Sequence, residues 1–267
     1  MTRRALFAFT AATAAAEAAS RVDPARVRER KAGKVETVFD SPVPAPNGLQ
    51  ATREGLWILD QGNGSRVCLV GYGRGEVLRS VETETEKSSG ITCDGDTLWI
   101  GSTYSREIVR CSAATGKTIE RHFTPGAGVI YRMSGDPPAR GSPLAKSRPR
   151  PAQPASTAQV GGSQAGDVLG SKALGTGAHG LEWRDGRLWF AVPPSREVYR
   201  VDPKTWTVES KFPVAGNRPH GIGWEGRFLW VTDSNLNAFF KHDPETGQII
   251  EKIQLADSDP RPTERIS

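Results

Sequence analysis

The sequence predicts an all-β chain, a β-propeller with four recognisable four-stranded blades. Three observations predict it: one Gly-to-Trp kernel occurs four times, the same order of turns and strands follows each copy, and the copies recur at a near-constant step. Gly48-Leu49 leads to Leu56-Trp57, Gly90-Ile91 to Leu98-Trp99, Gly180-Leu181 to Leu188-Trp189, and Gly221-Ile222 to Leu229-Trp230. In every copy the Trp stands nine residues after the Gly. Two apolar runs joined by a short polar turn, as at Trp224-Glu225-Gly226-Arg227-Phe228, read as a hairpin of adjacent strands.

Each kernel is followed by a third strand around Val67, Ile108, Val198 or Phe239. A turn comes next, at Gly71 to Gly75, Ser112 to Gly116, Asp202 to Thr205, or Asp243 to Gly247. A last strand carries Val77-Leu78, Thr118-Ile119, Thr207-Val208 or Ile249-Ile250. The Gly-to-Gly steps are 42, 90 and 41 residues. A period of roughly 40–45 residues with four short strands per unit is the pattern of propeller blades.

Taken in order, residues 1–20 hold an Arg3-Arg4 pair, an Ala-rich apolar run and small residues, the pattern of a twin-arginine-like export signal, with a cytosolic Ala-rich N-terminal helix as the alternative reading. Residues 21–33 read as a basic linker. Residues 34–131 form the first part of the propeller. Its first stretch, Lys34 to Phe39, alternates polar and apolar side chains and reads as the outer strand of a further blade. The ring is therefore expected to be five-bladed with its last blade incomplete. Residues 132–178 hold 6 Pro, 8 Gly and no aromatic, and are expected to be a disordered insert. Residues 179–262 form the second part and 263–267 a tail. Arg261-Pro262 arrives where Arg218-Pro219 opens the fourth kernel, but no kernel follows. Either the ring is left open or the product is shortened.

Charge follows the same divisions. Residues 1–34 carry eight basic and three acidic side chains, residues 132–178 six and two, and the whole chain is +5, so the propeller body is about −4. A nucleic-acid binder carries its basic patch on the folded face, so that class is set aside. No apolar run is long enough for a transmembrane helix. Cys68, Cys93 and Cys111 are odd in number and lack metal-site spacing, and read as buried free thiols. The kernel Trp residues read as packing between blades, and Asp60 and Asp233, three residues after a Trp, as turn formers.

The residues before the four kernel glycines are Asn47, Ser89, His179 and His220. They hold one repeat position, so propeller symmetry places them on one circle at a mouth of the central channel. Imidazole suits transition metals and an amide oxygen suits hard cations. Asn47, His179 and His220 are therefore candidate ligands for a divalent metal, with Mg, Ca and Zn not told apart. The competing role is local: a polar residue before glycine can cap its own turn.

Pro46-Asn47-Gly48-Leu49, Ala178-His179-Gly180-Leu181 and Pro219-His220-Gly221-Ile222, each followed by a Leu-Trp pair, resemble repeats of the virginiamycin B lyase-like and gluconolactonase-like propellers. The resemblance spans residues 34–131 and 179–262. It implies that Asn47 matches an Asn that helps bind a central metal in the gluconolactonase group, with His220 in the place of an Asp. It also implies that His179 and His220 are placed like the histidines around Mg²⁺ in the streptogramin lyases, with no residue answering to their Glu. The expected function is then an exported, metal-assisted lyase or lactonase acting on a small cyclic ester. His220 and His179 would be catalytic, and Ser89 and Asn47 substrate-binding. The alternatives are a non-catalytic propeller binding a ligand or protein and, more distantly, a glutamine cyclotransferase-like propeller.

Overall fold

The computed structural model describes residues 27–34, 36–62, 65–132, 167–168 and 175–255. Four antiparallel sheets carry the four kernels. Blade 1 is β2 (Pro46–Ala51), β3 (Leu56–Asp60), β4 (Arg66–Val70) and β5 (Val77–Glu82). Blade 2 is β6 (Gly90–Cys93), β7 (Thr97–Ser102), β8 (Glu107–Ser112) and β9 (Thr118–Phe123). Blade 3 is β12 (Gly180–Arg184), β13 (Arg187–Val192), β14 (Glu197–Asp202) and β15 (Thr207–Pro213). Blade 4 is β16 (Pro219–Glu225), β17 (Phe228–Asp233), β18 (Ala238–His242) and β19 (Ile249–Gln254). The first strand of each blade lies inmost: β2 neighbours β6, β6 neighbours β12, and β12 neighbours β16.

Two repeated turns explain why each unit folds alike. The link from second to third strand needs a left-handed residue, held by Arg106, Arg196 and Asn237 at φ near 62°, 59° and 51°. The link from third to fourth strand needs another, supplied by Gly75, Gly116 and Gly247. In blade 3 that place is taken by Trp206 at φ 55°. Its indole stacks on His122 at 4.0 Å and donates through Nε1 to Phe123 O at 2.9 Å, contacts that offset the backbone strain.

The core lies between blades. Trp57, Leu59, Val67 and Leu69 of blade 1 pack against Ile91, Leu98, Ile100 and Cys111 of blade 2. Trp99 and Ile108 meet Leu181, Leu188 and Phe190, and Trp189 and Val198 meet Leu229 and Val231. The kernel Trp residues thus face the following blade, and Trp57, Trp99 and Trp189 are buried there. Trp230 is the exception. No blade follows it among the described residues, so its face of blade 4 opens onto a cavity.

The start of the chain differs from expectation. Residues 36–40 are irregular rather than an outer strand. Phe39 and Val43 instead cover Ile58, Cys68 and Val70, the face of blade 1 that a preceding blade would cover. From the supposed linker, β1 (Glu29–Lys31) adds to blade 4 as a fifth strand, parallel to β19. A free sheet edge offers unpaired backbone groups, and two ion pairs fix the register: Arg30 to Glu251 and Lys252 to Glu29, each at 3.1 Å. The described residues therefore hold four blades and no part of a fifth.

At the ends of the insert, β10 (Tyr131–Arg132) pairs with β11 (Asp167–Val168), and Gly128 bridges Thr176. The rest of the expected insert, the signal segment at 1–20 and the tail at 263–267 lie outside the described residues. No helix among the described residues is long and apolar enough to cross a membrane. Cys68 and Cys111 are buried free thiols, while Cys93 is half-buried.

Candidate functional site

The kernel glycines set how closely the blades approach. A methyl group on Gly48 would lie 3.1 Å from Ser89 O, on Gly90 2.1 Å from His179 O, and on Gly180 2.3 Å from His220 O. Each inner strand can therefore start against the backbone of the next only because the kernel residue has no side chain. At Gly221 the nearest neighbour is Thr232 Oγ1 at 3.5 Å, an ordinary contact, because no blade follows among the described residues. Among the described residues the ring is open between blade 4 and blade 1.

That opening and the channel mouth form one cavity of about 1250 Å³. Asn47, Ser89, His179 and His220 all line it, so the four residues of the repeat position do converge. Apolar side chains of blade 4, among them Ile222, Trp230, Phe239 and Ile253, make up its wall opposite Leu49 of blade 1.

The four residues divide into two pairs. Asn47 Nδ2 donates to Ser89 Oγ at 3.1 Å, and Gln61 Nε2 donates to the same oxygen at 3.1 Å. With both amides accepted, the Ser89 O–H has no acceptor among the described residues. His179 and His220 meet edge to face, with ring centroids 4.8 Å apart. Thr176 Oγ1 holds His179 Nε2 at 2.9 Å, while His179 Nδ1 is buried without a partner. His220 carries no hydrogen bond from the described residues and faces the cavity.

Electrostatics make both imidazoles neutral near pH 7. Burial pushes His179 well below its ordinary range, and the His220 ring and the Arg218 guanidinium lower it further. Burial and then Arg218 bring His220 down to about 4. Glu182, on the inner strand three residues past His179, is pushed up to about 7 by burial. Its Oε1 would stand 4.0 Å from a methyl group on Gly223, which lines the cavity.

Asp60 and Asp233 act as turn formers. Asp60 Oδ1 accepts from Gly62 N at 2.8 Å, and Asp233 Oδ1 accepts from the amides of Asn235 and Leu236, both at 2.9 Å. Sequence reading missed Thr176, Glu182 and the side chain of Arg218. Arg218-Pro219 stood in view, but as a marker of the repeat.

As a metal site the donor set fits poorly. Of its two imidazoles, His179 is bonded through one nitrogen and buried at the other, and the Arg218 charge lies alongside. Among the described residues no three or more His, Cys, Asp or Glu side chains are grouped to hold an ion.

No family model matches the sequence, and no curated protein matches it. Among solved structures the chain is similar to glutaminyl cyclase of Myxococcus xanthus, with TM-score 0.54 and 11% identity over 86% of this chain and 78% of that one. It is also similar to a catalytically inactive virginiamycin B lyase of Staphylococcus aureus with quinupristin, at TM-score 0.44 and 19% identity over 78% of this chain. A streptogramin B lyase structure gives TM-score 0.46 and 14% identity over 80% of this chain. The chain spans 56% of the length of each of these two lyases. Virginiamycin B lyase propellers are thus among the structural neighbours, as the repeats implied. At these identities the likeness is one of fold.

Proposed function

We propose that the protein takes a small organic ligand into the cavity at the channel mouth and acts on it by acid–base chemistry, with His220 as the general base. The observation that carries this reading is the imidazole pair. His220 is uncharged near neutral pH and opens onto a cavity large enough for a small molecule. A neutral imidazole can take a proton from bound water or from an acidic C–H group. His179, fixed by Thr176, supports the ring edge-on and sets its orientation. Asn47 and the Ser89 hydroxyl would position the ligand from the opposite wall. Opening of a small cyclic ester, by elimination or by hydrolysis, suits this arrangement. A divalent metal held by Asn47, His179 and His220 belongs to the sequence-based reading, and no step is routed through one. Export rests on residues 1–20 and completes the proposal.

The test is turnover of a panel of small lactones and cyclic depsipeptides by the full chain, with EDTA and then with added Mg²⁺, Ca²⁺ or Zn²⁺. His220→Ala should lower turnover by about 100-fold or more, the usual worth of a positioned base. Unchanged turnover in His220→Ala would overturn the assignment. Binding of the same compounds without turnover, lost in His220→Ala, would assign the cavity to ligand binding alone.

A further inference from the structure

A strip of blade 4 runs from the imidazoles to the outer edge of the cavity. Thr232, Phe239, Ile253 and Arg30 stand directly opposite one another on β17, β18, β19 and β1. Opposed residues on neighbouring strands share a face, and all four line the cavity. The strip starts beside the kernel, where Thr232 Oγ1 accepts from Gly221 N at 2.7 Å, next in the chain to His220. From β16 to β19 it crosses three strand spacings, about 14 Å. It is also one side chain wide. The next row of the same face, two residues along each strand, is Trp230, Lys241 and Glu251. The polar atoms of that row are paired among themselves and with their neighbours. Trp230 Nε1 donates to Glu225 Oε2 at 2.7 Å, Lys241 pairs with the same oxygen at 2.8 Å, and Arg30 pairs with Glu251 at 3.1 Å.

At the other blade interfaces this face is covered. Ile91 and Leu181, which reach back to the preceding blade, are 1% and 3% exposed, while Leu49, at the same position of blade 1, is 59% exposed. Leu49 lines the cavity with the strip. A whole blade does not fit the gap, because it would have to cover blade 1 as well as blade 4. Blade 1 already has its cover: Phe39 and Val43 pack on Ile58, Cys68 and Val70. Phe39 is seated closely, since a methyl group on Gly75 would stand 2.4 Å from its ring. Ala32 and Gly33, between β1 and Phe39 in the chain, are themselves part of the cavity wall. What stays bare is narrow and apolar, and it is continuous with the site at His220. Its occupant needs to bring apolar surface rather than hydrogen-bonding groups.

We propose that the strip is a tail subsite, taking the unbranched alkyl chain of an ester or lactone whose carbonyl lies at His220. The assignment rests on the reading of the cavity as a ligand site and names its substrate class: an amphipathic ester with an apolar tail rather than a compact polar lactone. One row of side chains about 14 Å long matches an extended chain of roughly ten carbons. Gly221 has no side chain and Thr232 a short one, so the tail can start low beside the imidazole. A wide ring system would overhang the ion-paired row and take charged groups out of water, which is costly. A linear tail avoids that row and gains by leaving water, up to about fourfold in affinity for each methylene fully covered. Arg30, held by Glu251, closes the far end of the strip, so carbons beyond it return to solvent.

The test follows the His220 imidazole by NMR in the full chain labelled at histidine, at neutral pH and below the solubility limit of each probe. The probes are γ-butyrolactone, γ-hexalactone, γ-octalactone and γ-decalactone, which share one ring and differ in tail, and γ-phenyl-γ-butyrolactone. Saturable shifts of the His220 resonances should tighten along the alkyl series, about threefold or more at each lengthening. Phe239→Gln and Leu49→Gln should each weaken γ-decalactone binding about tenfold and leave γ-butyrolactone binding unchanged. Ile253→Trp, which shortens the strip, should weaken γ-decalactone and spare γ-hexalactone. Ile119→Gln, exposed on the outer strand of blade 2, should change nothing. Urea unfolding confirms that each variant folds; if Phe239→Gln does not, Leu49→Gln, at an exposed position, carries the test. Equal binding along the series, with γ-butyrolactone still shifting His220, would overturn the tail subsite and leave the ligand site standing. Tail-dependent binding without turnover would support the subsite and remove the catalytic reading. Binding of the phenyl lactone as tight as that of γ-decalactone would overturn the alkyl assignment. If no lactone shifts His220, and sedimentation shows self-association that Phe239→Gln weakens, a second copy covers the face and the subsite is wrong.

Discussion

Alanine at two equivalent kernel glycines should change stability in opposite directions. At Gly90 a methyl group would lie 2.1 Å from His179 O and 2.9 Å from His179 C, both backbone atoms that cannot swing aside. Ordinary contact is more than an ångström longer, so blades 2 and 3 must part by about that distance. Overpacking of this kind costs about 1–3 kcal/mol. At Gly221 the same methyl group meets Thr232 Oγ1 at 3.5 Å and Cγ2 at 3.8 Å, and nothing has to move. Neither glycine is among those with a left-handed backbone. Gly221→Ala should therefore stabilise by roughly 0.5–1 kcal/mol, the usual advantage of Ala over Gly in a strand. Urea unfolding and calorimetry read both. For a chain of this size the melting temperature moves roughly 2–4 °C per kcal/mol, so Gly90→Ala should melt several degrees lower and Gly221→Ala slightly higher. If Gly221→Ala is as damaging as Gly90→Ala, some backbone lies against Gly221 and the open ring is wrong.

The remaining predictions concern pH and the uncovered sheet face. His179, His220 and His242 are all held below their ordinary range, chiefly by burial, with His220 and His242 each near 4. The unfolded chain then binds more protons than the folded one between about pH 6.5 and 4, so stability is full above 6.5 and is lost as pH falls through that window. Glu182, raised to about 7, works in the other direction: its contribution is present at low pH and is lost as pH rises from about 4.5 to 7. Urea midpoints across pH 4–8 should show a maximum that Glu182→Gln flattens on its alkaline side, and an unchanged profile in that variant would contradict the burial of its carboxyl. Trp99→Ala should cost about 3–5 kcal/mol, as for a fully buried core aromatic, whereas Trp230→Ala should cost clearly less, because Trp230 lines the cavity rather than a blade interface. Equal losses in unfolding free energy would mean that the Trp230 face is covered.

The blades were legible because their signal is periodic. One spacing, repeated four times, registers the inner strands from Gly48, Gly90, Gly180 and Gly221, and the same repetition brings Asn47, Ser89, His179 and His220 to one cavity. What escaped the sequence were interactions with no period. Alternation at Lys34 to Phe39 satisfies a strand pattern equally well when Phe39 simply packs on blade 1. The pairing of Glu29–Lys31 with β19 joins chain segments more than 220 residues apart and depends on a free edge that exists only after folding. The tie from Thr176 to His179 arises from loops meeting in space. Trp206 broke the turn rule that Gly75, Gly116 and Gly247 obey, because tertiary stacking on His122 outweighs a local backbone preference.

The central claim is a pair of uncharged imidazoles at the mouth of an open channel. NMR titration of histidine-labelled protein tests it most directly, with His220→Ala and His179→Ala used to assign the resonances. The account predicts that His220 stays neutral down to a midpoint near pH 4 and that His179 titrates well below the ordinary imidazole range or not before unfolding. A midpoint at or above 6.5 for His220 would show a solvated or carboxylate-paired ring, and would contradict the buried, neutral base on which the proposed chemistry depends.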